Sequence, residues 1–358
     1  MTDKMRVAVL FGGRSAEHDV SILSATNVLE AMDRDCFDVV PIGIDRAGRW
    51  YLLGSGKVGS LNISKNGTEV ALLPGGKGRL IAIDPSGELR AIKPVDVVFP
   101  VLHGPFGEDG SVQGHAETAD VAYVGCGVFA SAAAMDKAMA KTLLKAQGIP
   151  VAEARSLRKG EAVTFEDIQR DLGPILFIKP ARQGSSVGVS RVGGNGADFA
   201  TSLDKAFQHD DKVLVEAFID GREIECSVLE RADGSLVVSD PGEIITAAHH
   251  DFYSYDAKYL DADGAVVKVP ADVPEPIRAK ARSMAAEAFR ALGCEGMARV
   301  DFFLLPDDTL VVNELNTIPG FTNISMYAKA LAASGISYRQ LISELIDHAM
   351  ARHQRRSA

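Results

Sequence analysis

The feature that most constrains this chain is a polar quartet set into two apolar runs near its C-terminal end. Arg299 and Asp301 lie in MARVDFF, and Glu314 and Asn316 lie in NELNTIPG. The runs Met297–Leu305 and Leu310–Leu315 flank the turn-forming stretch Pro306-Asp307-Asp308-Thr309, so together they predict a β-hairpin. A loop of two or four residues sets Leu305 opposite Leu310. Asp301 then faces Glu314 and Arg299 faces Asn316, with all four side chains on one face. The other face, Val300, Phe302, Leu304, Val311 and Leu315, is apolar. Two carboxylates opposed at roughly 5 Å, at an effective dielectric of about 20, repel by on the order of 3 kcal/mol. Solvent on an outer face would relieve this. So would a hard divalent cation, since two carboxylates and an amide oxygen suit Mg²⁺ with waters and phosphate oxygens as its other ligands.

The rest of the chain narrows the class. A length of 358 residues accommodates two or three domains. A net charge of −10 argues against a general nucleic-acid binder, and Arg352-His353-Gln354-Arg355-Arg356 is too short to act as a basic tail. No stretch approaches a membrane span, and Val7–Phe11 is too brief for a signal-peptide core. Cys36, Cys126, Cys226 and Cys294 are scattered without a CxxC, which suggests neither a zinc site nor a disulfide framework. The expectation is a soluble cytoplasmic enzyme.

From the N-terminus the pattern reads strand (Arg6–Phe11), glycine turn, helix (Ile22 to Met32) and strand (Val39–Ile44). Short β-like runs follow over Gly48–Ile92, read as a hairpin insertion, then a buried strand Val95–Val101. This predicts an α/β domain with a parallel sheet, and the lack of GxGxxG after the first strand disfavours a dinucleotide fold. One helix is expected to run to about Gln147. Beyond it come strand Ile175–Lys179, the turn Gly184–Gly188, helix Phe199–Gln208 and strand Val213–Phe218, a compact α+β unit. A β-rich region with one clear helix, Ile277–Leu292 with Gly293 after it, precedes a last helix near Tyr338–Met350.

Several segments could handle phosphate or nucleotide. In IKPARQGSSVGVS, Lys179 ends a strand, and Gly184-Ser185-Ser186-Val187-Gly188 offers backbone N–H groups and two hydroxyls to an anion; an ordinary Gly-Ser hairpin turn reads the same way. The lysine precedes the glycines, so this is not a Walker A loop. Glu216, the backbone of Ala217 and Ile219, and Glu223 could receive an adenine amino group and ribose hydroxyls, or be solvated edge positions. Lys137 could be a solvated helix lysine. Glu17 could be a first-turn acid complementing a helix dipole. His103 sits in the glycine-rich LHGPFGEDG, and Tyr253, Tyr255 and Tyr259 in a segment that could be a lid or plain packing.

GGRSAEHDVS, LHGPFGEDG, MDK, IKPARQGSSVGVS, EAFIDGREIE, FYSYDAKYL, MARVDFF and NELNTIPGFTNIS occur in this order from about Arg6 to Met350. In that order and spacing the chain resembles the D-alanine–D-alanine ligases of the ATP-grasp superfamily. NELNTIPG together with GSSVG is the most specific part of the likeness. The resemblance implies an N-terminal parallel-sheet α/β domain (1–136) binding the first D-alanine. A central ATP-grasp subdomain (137–221) and a C-terminal one with metal site and lid (222–358) would then clasp ATP. It implies that Asp301, Glu314 and Asn316 hold two Mg²⁺ or Mn²⁺ ions, and that Lys137, Lys179 and Ser186 contact phosphate. Glu216, Ala217, Ile219 and Glu223 would hold the nucleotide, and Glu17 the ammonium of the first D-alanine, with His103 beside it. Arg299 and the Gly320 N–H match oxyanion stabilisers. By the same resemblance Ser325 corresponds to a residue near the second substrate's carboxylate, Ser185 and Tyr259 match partners that join Glu17 in a closing hydrogen-bond triad, and Lys258 would share that lid. The activity implied is ATP-dependent synthesis of D-alanyl-D-alanine for peptidoglycan by a cytoplasmic homodimer, with no nucleic-acid or membrane partner. A D-alanine–D-lactate ligase and a non-catalytic nucleotide-binding regulator are the competing expectations. The regulator should lack a lysine, a metal ligand or the arginine, and all are present.

Overall fold

The computed structural model describes residues 4–54, 62–246, 265–322 and 325–357. Its strands fall into three sheets that follow one another along the chain. The first contains β1 (Met5–Gly12), β2 (Phe37–Ile44), β3 (Trp50–Leu52), β4 (Thr68–Leu72), β5 (Leu80–Ile83), β6 (Leu89–Ile92), β7 (Val97–Pro100) and β8 (Ala122–Tyr123), in the order β6-β5-β4-β3-β2-β1-β7-β8. The expected parallel sheet is its core: β1 pairs in parallel with β2 and β7, and β7 with β8. The Gly48–Ile92 stretch is more than a hairpin insertion. It carries the sheet outward by four strands, each antiparallel to the last.

β1 is the buried centre of this sheet, its last six residues inaccessible, as a strand with neighbours on both sides requires. The chain turns sharply out of it at Gly12, where φ is +88° and a Cβ would sit 2.4 Å from the Ile44 carbonyl oxygen, so only glycine fits. The helix His18–Ala31 then packs back with Ser21, Ala25, Val28 and Leu29 inward, at helical spacing.

The run read as one helix ending near Gln147 is two, Val128–Met135 and Lys137–Ala146, divided at Asp136. Asp136 leaves helical geometry and caps the second helix by accepting the Met139 N–H at 3.1 Å. The second sheet is antiparallel throughout: β9 (Ala154–Arg158), β10 (Leu176–Pro180), β11 (Ser190–Val192) and β12 (Lys212–Ala217), ordered β11-β10-β12-β9. Helices Phe165–Leu172 and Phe199–Phe207 supply Ile168, Phe199 and Ala206 to its core.

The third sheet comprises β13 (Arg222–Glu230), β14 (Leu236–Val238), β15 (Gly242–Thr246), β16 (Ala265–Lys268), β17 (Met297–Leu304) and β18 (Leu310–Asn316), in the order β16-β15-β13-β17-β18, with β14 on β13. The helix Glu275–Ala291 lies over it through Ile277, Ala281, Ala285, Ala288 and Phe289. Alanines at this spacing keep side chains short, so the helix can lie close to the strands. The helix Met326–Ala333 packs on β13, and the last helix, Tyr338–Ser357, returns to the first sheet, where Leu341, Ile342, Leu345, Ile346 and Ala349 share a core with Val7, Val9 and Phe99.

The β17–β18 hairpin needs one correction. Leu304, not Leu305, faces Leu310, because Leu305 N–H bonds the Thr309 oxygen and Asp308 takes a left-handed φ of +65°. A bulge between Asp301 and Phe302 absorbs Asn313 and shifts the register back, so Asp301 does face Glu314 and Arg299 does face Asn316. Val312 therefore takes the apolar-face place expected of Val311, joining Val300, Phe302, Leu304 and Leu315 in the core.

Candidate active site

A cleft of about 320 Å³ opens between the second and third sheets. It is lined by Lys137, Lys179, Ser185, Ser186, Glu216, Ala217, Ile219, Glu223 and Glu314, all singled out from the sequence. Phe177, Phe218 and Phe303 form an apolar wall, with the Phe177 and Phe218 rings stacked at 6.1 Å. Apolar walls with a few converging polar groups suit a planar base with a charged tail.

The basic end is built by the capped helix Lys137–Ala146. Lys137 and Lys141, four residues apart, share one helix face. Lys137 Nζ lies 3.2 Å from Glu314 Oε2 and donates to the Gln183 carbonyl at 2.9 Å. Burial by itself would lower its pKa, but Glu314, then Glu216 and Glu108, raise it above the ordinary lysine value. Lys141 Nζ lies 2.8 Å from Glu216 Oε1, while Lys179 pairs with Oε2 of the same carboxylate. Burial would push the Glu216 carboxyl up, yet the two lysines outweigh it and hold it below its usual range. Burial lowers Lys141 in turn, against the pull of Glu216. A buried glutamate is thus the fixed counter-ion of two lysines, not a solvated edge charge, and the cleft keeps positive charge aimed at it.

At the turn after β10, Ser185 and Ser186 are both left-handed, with φ of +50° and +58°. Two successive left-handed residues without glycine are sparsely populated, and such geometry concentrates at binding sites. Ser185 donates to Glu17. Glu17 is the residue before the helix His18–Ala31, makes no capping bond with its side chain, and is buried. A Cβ on Gly184 or on Gly104 would come within 2.7 Å of Glu17 Oε2, so two glycines make room for this carboxylate. Tyr259 and Lys258, with the stretch expected to be a lid, lie outside the described residues.

His103 is buried with both ring nitrogens engaged: Nδ1 donates to the Ile318 carbonyl at 3.2 Å and Nε2 accepts from Ser24 Oγ at 3.1 Å. Burial keeps its pKa below the ordinary value, with Arg299 adding to this and Glu17 opposing, so the ring is neutral. Glu108 holds the other backbone group of the same residue, accepting the Ile318 N–H at 3.2 Å and the Gly104 N–H at 2.8 Å. Burial, with Glu17 nearby, pushes its carboxyl up to about 8. Beyond Ile318, Gly320 meets Ser325: a Cβ there would be 2.8 Å from Ser325 Oγ, which accepts the Thr322 N–H at 3.0 Å.

On the hairpin, Arg299 grips Asp301 through Nε to Oδ1 at 2.7 Å and Nη2 to Oδ2 at 2.6 Å, and Asn316 Nδ2 donates to Asp301 Oδ2 at 2.9 Å. The repulsion between Asp301 and Glu314 is therefore met here by Arg299 on one and Lys137 on the other. Among the described residues no three His, Cys, Asp or Glu side chains form a ready cage for a metal. Mg²⁺ needs no such cage, because it takes one or two carboxylates and completes its shell with water and phosphate. Asp301, Glu314 and the Asn316 amide oxygen, all hard donors, fit it.

Three ionisable residues beside this set escaped the sequence reading: Lys141 against Glu216, Glu108 against Ile318, and Glu225, whose Oε2 lies 3.0 Å from Arg299 Nε. Lys141 follows Lys137 by one helical turn, and Glu225 follows Glu223 by one strand repeat in REIEC, so both periodicities contained the signal. Glu108 lay in the quoted LHGPFGEDG without a chemical reason to choose it.

A parallel α/β unit followed by two sheets that hold basic and acidic groups across one cleft is the ATP-grasp architecture. Residues 6–126 match the family described as D-ala D-ala ligase N-terminus and residues 143–347 that described as D-ala D-ala ligase C-terminus. The chain is 62% identical to D-alanine–D-alanine ligase A of Mesorhizobium japonicum, over 99% of this chain and 100% of that one. It is 50% identical to D-alanine–D-alanine ligase A of Brucella suis, over 98% of each. The solved D-alanine-D-alanine ligase from Coxiella burnetii superposes with a TM-score of 0.87 at 35% identity, covering 99% of this chain and 97% of that one. The VanG D-Ala:D-Ser ligase from Enterococcus faecalis does so with a TM-score of 0.86 at 36% identity, covering 97% and 100%. The chain belongs to the D-alanine–D-alanine ligase family.

Proposed function

We propose that this protein joins two D-alanines at the expense of ATP, making D-alanyl-D-alanine for peptidoglycan. The observation that carries the reading is the meeting of Glu17 with Ser185. A buried carboxylate suited to an ammonium group touches the very turn whose hydroxyls and N–H groups suit a phosphate. An amino acid held by Glu17 would have its own carboxylate beside the phosphate of a nucleotide in the cleft, in line for transfer.

The base and ribose lie against Phe177, Phe218, Glu216, Ala217, Ile219 and Glu223, and Lys137, Lys179 and Ser186 neutralise the phosphates. Asp301, Glu314 and Asn316 would hold Mg²⁺ or Mn²⁺, which supplies charge neutralisation on the phosphate oxygens. The first D-alanine carboxylate takes the γ-phosphoryl group, giving an acyl phosphate and ADP. The second D-alanine's amine attacks the carbonyl, and phosphate leaves. Arg299 and the Gly320 N–H face the tetrahedral oxyanion. Neutral His103 orients the first substrate's pocket through Ile318, and Ser325 receives the second carboxylate. Tyr259 and Lys258 belong to the lid that keeps water from the acyl phosphate. We assign 1–136, 137–221 and 222–358 as the three domains, and a cytoplasmic homodimer as the working form. No described helix is long and apolar enough to cross a membrane.

The test is ADP release with Mg²⁺ and D-alanine, L-alanine, D-serine or D-lactate, alone and in pairs, with the product identified by mass. D-alanine alone should give the dipeptide and one phosphate per bond. Equal turnover with L-alanine would falsify the reading, and preferential mixed product with D-serine would move the protein to the other branch of its structural neighbours.

A further inference from the structure

The register across the third sheet sets three carboxylates in one row. Glu225 of β13 faces Asp301 of β17, which faces Glu314 of β18. The adjacent row is Ser227, Arg299 and Asn316, so Arg299 has a carboxylate within reach on its own strand and another on β13. Its Nε donates to Asp301 at 2.7 Å and also lies 3.0 Å from Glu225 Oε2. Glu225 and Asp301 are both buried.

We propose that Glu225 is a positioning residue: it holds the Arg299 guanidinium in place when Asp301 turns to a cation or phosphate. This rests on the reading of Arg299 as the oxyanion donor. Asp301 has two competing duties in that reading, since it grips Arg299 in the unliganded site and would ligate metal in the loaded one. A guanidinium tied to Asp301 alone would lose its forked partner as the site loads. An oxyanion donor is useful only if it is fixed before charge develops. A second carboxylate 3.0 Å from Nε, on a strand that carries no proposed metal ligand, removes that conflict, because it is placed to take the Nε–H as Asp301 turns away. Glutamine at 225 would keep the shape and lose the charged partner. Aspartate would keep the charge but withdraw it by about one C–C bond, roughly 1.5 Å.

The experiment combines kinetics with the Arg299 Nε–H resonance in ¹⁵N-arginine-labelled protein, assigned by its disappearance in Arg299→Lys. In the wild type the signal should persist when Mg²⁺ and a non-hydrolysable ATP analogue are added. In Glu225→Gln and Glu225→Asp it should be present without ligand and broaden away on that addition. In both variants kcat should fall about 10-fold, the scale of one charged hydrogen bond, with KM for ATP within about twofold. A purely structural role would lose the signal before ligand is added, and a purely electrostatic one would leave Glu225→Asp like the wild type; either result overturns the proposal. If Arg299→Lys turns over normally, the oxyanion reading falls and this inference with it. If Arg299→Lys is impaired while both Glu225 variants keep kcat and signal, the inference alone is wrong.

Discussion

Glu314 shows how the energetics of a carboxylate are misjudged when it is set against one neighbour alone. Considered only against Asp301, its charge looks destabilising, and Glu314→Gln should then leave the metal-free protein as stable or slightly more so. The structure supplies Lys137 at 3.2 Å, with a pKa that Glu314 helps to raise. Neutralising Glu314 thus removes a repulsion and an attraction together. We expect the metal-free variant to match the wild type within about 1 kcal/mol in chemical denaturation, because the lost attraction and the lost repulsion oppose each other. Turnover should nearly vanish at ordinary Mg²⁺. Near-normal rates would show that the carboxylate is no metal ligand, and a loss of several kcal/mol would show that Lys137 depends on it for folding. The pairs Asp301–Glu314 and Arg299–Asn316 were legible because strand alternation fixes faces. The pairing of Glu314 with Lys137 was not, since Lys137 is 177 positions away along the chain from Glu314.

Elements were legible where their period was long and their ends were marked. The helix Glu275–Ala291 announced itself by its alanine and apolar stripe and by Gly293 just past its end. The turn of β17–β18 did not, because one left-handed aspartate and one bulged asparagine shift the register in opposite senses and leave only their sum visible. The break at Asp136 was hidden for a different reason. No glycine or proline marks it, and the residue that fixes Asp136, Lys212, comes from β12. Lys212 Nζ donates to Asp136 Oδ1 at 2.7 Å and to Oδ2 at 2.5 Å, and only 8% of Lys212 is exposed. Asp136→Ala would remove the cap of the helix that carries Lys137 and Lys141 and strand Lys212 among buried groups. The cap is worth about 1 kcal/mol and the stranded charge more, so a loss of about 2–4 kcal/mol is expected. Adding Lys212→Met should restore a large part of it in urea titrations, because the unpaired charge is then gone. Equal losses in the single and double variants would mean that the cap alone matters.

At the scale of the whole molecule, the sequence offered an apolar stripe on the last helix but not its partner. That helix closes the chain onto the first sheet, so residues near both ends share one core. The stretch Arg352–Arg356, which looks like a short basic tail, is part of the closure. Arg352 is 3% exposed and donates to the carbonyls of Gly125 at 2.5 Å and Tyr123 at 2.6 Å, with its guanidinium 4.2 Å from the Tyr123 ring centre. It also lies 3.4 Å from Glu295, which Arg356 reaches at 3.1 Å. One side chain thereby joins the end of β8, the entry to β17 and the C-terminal helix. Arg352→Leu would leave two carbonyls without this donor while keeping much of the apolar stem. Each unsatisfied buried group costs about 1–3 kcal/mol, so we expect a loss of about 2–4 kcal/mol. Because the lost contacts bridge the first and third sheets, the calorimetric transition should broaden or split as well as move down. Arg356→Ala, with its side chain half exposed, should cost under about 1 kcal/mol and leave the transition shape alone. Neither change touches the cleft, so ADP formation well below the transition should stay at the wild-type rate. If Arg352→Leu proved as mild as Arg356→Ala, the apolar stripe alone would be holding the two ends of the chain together.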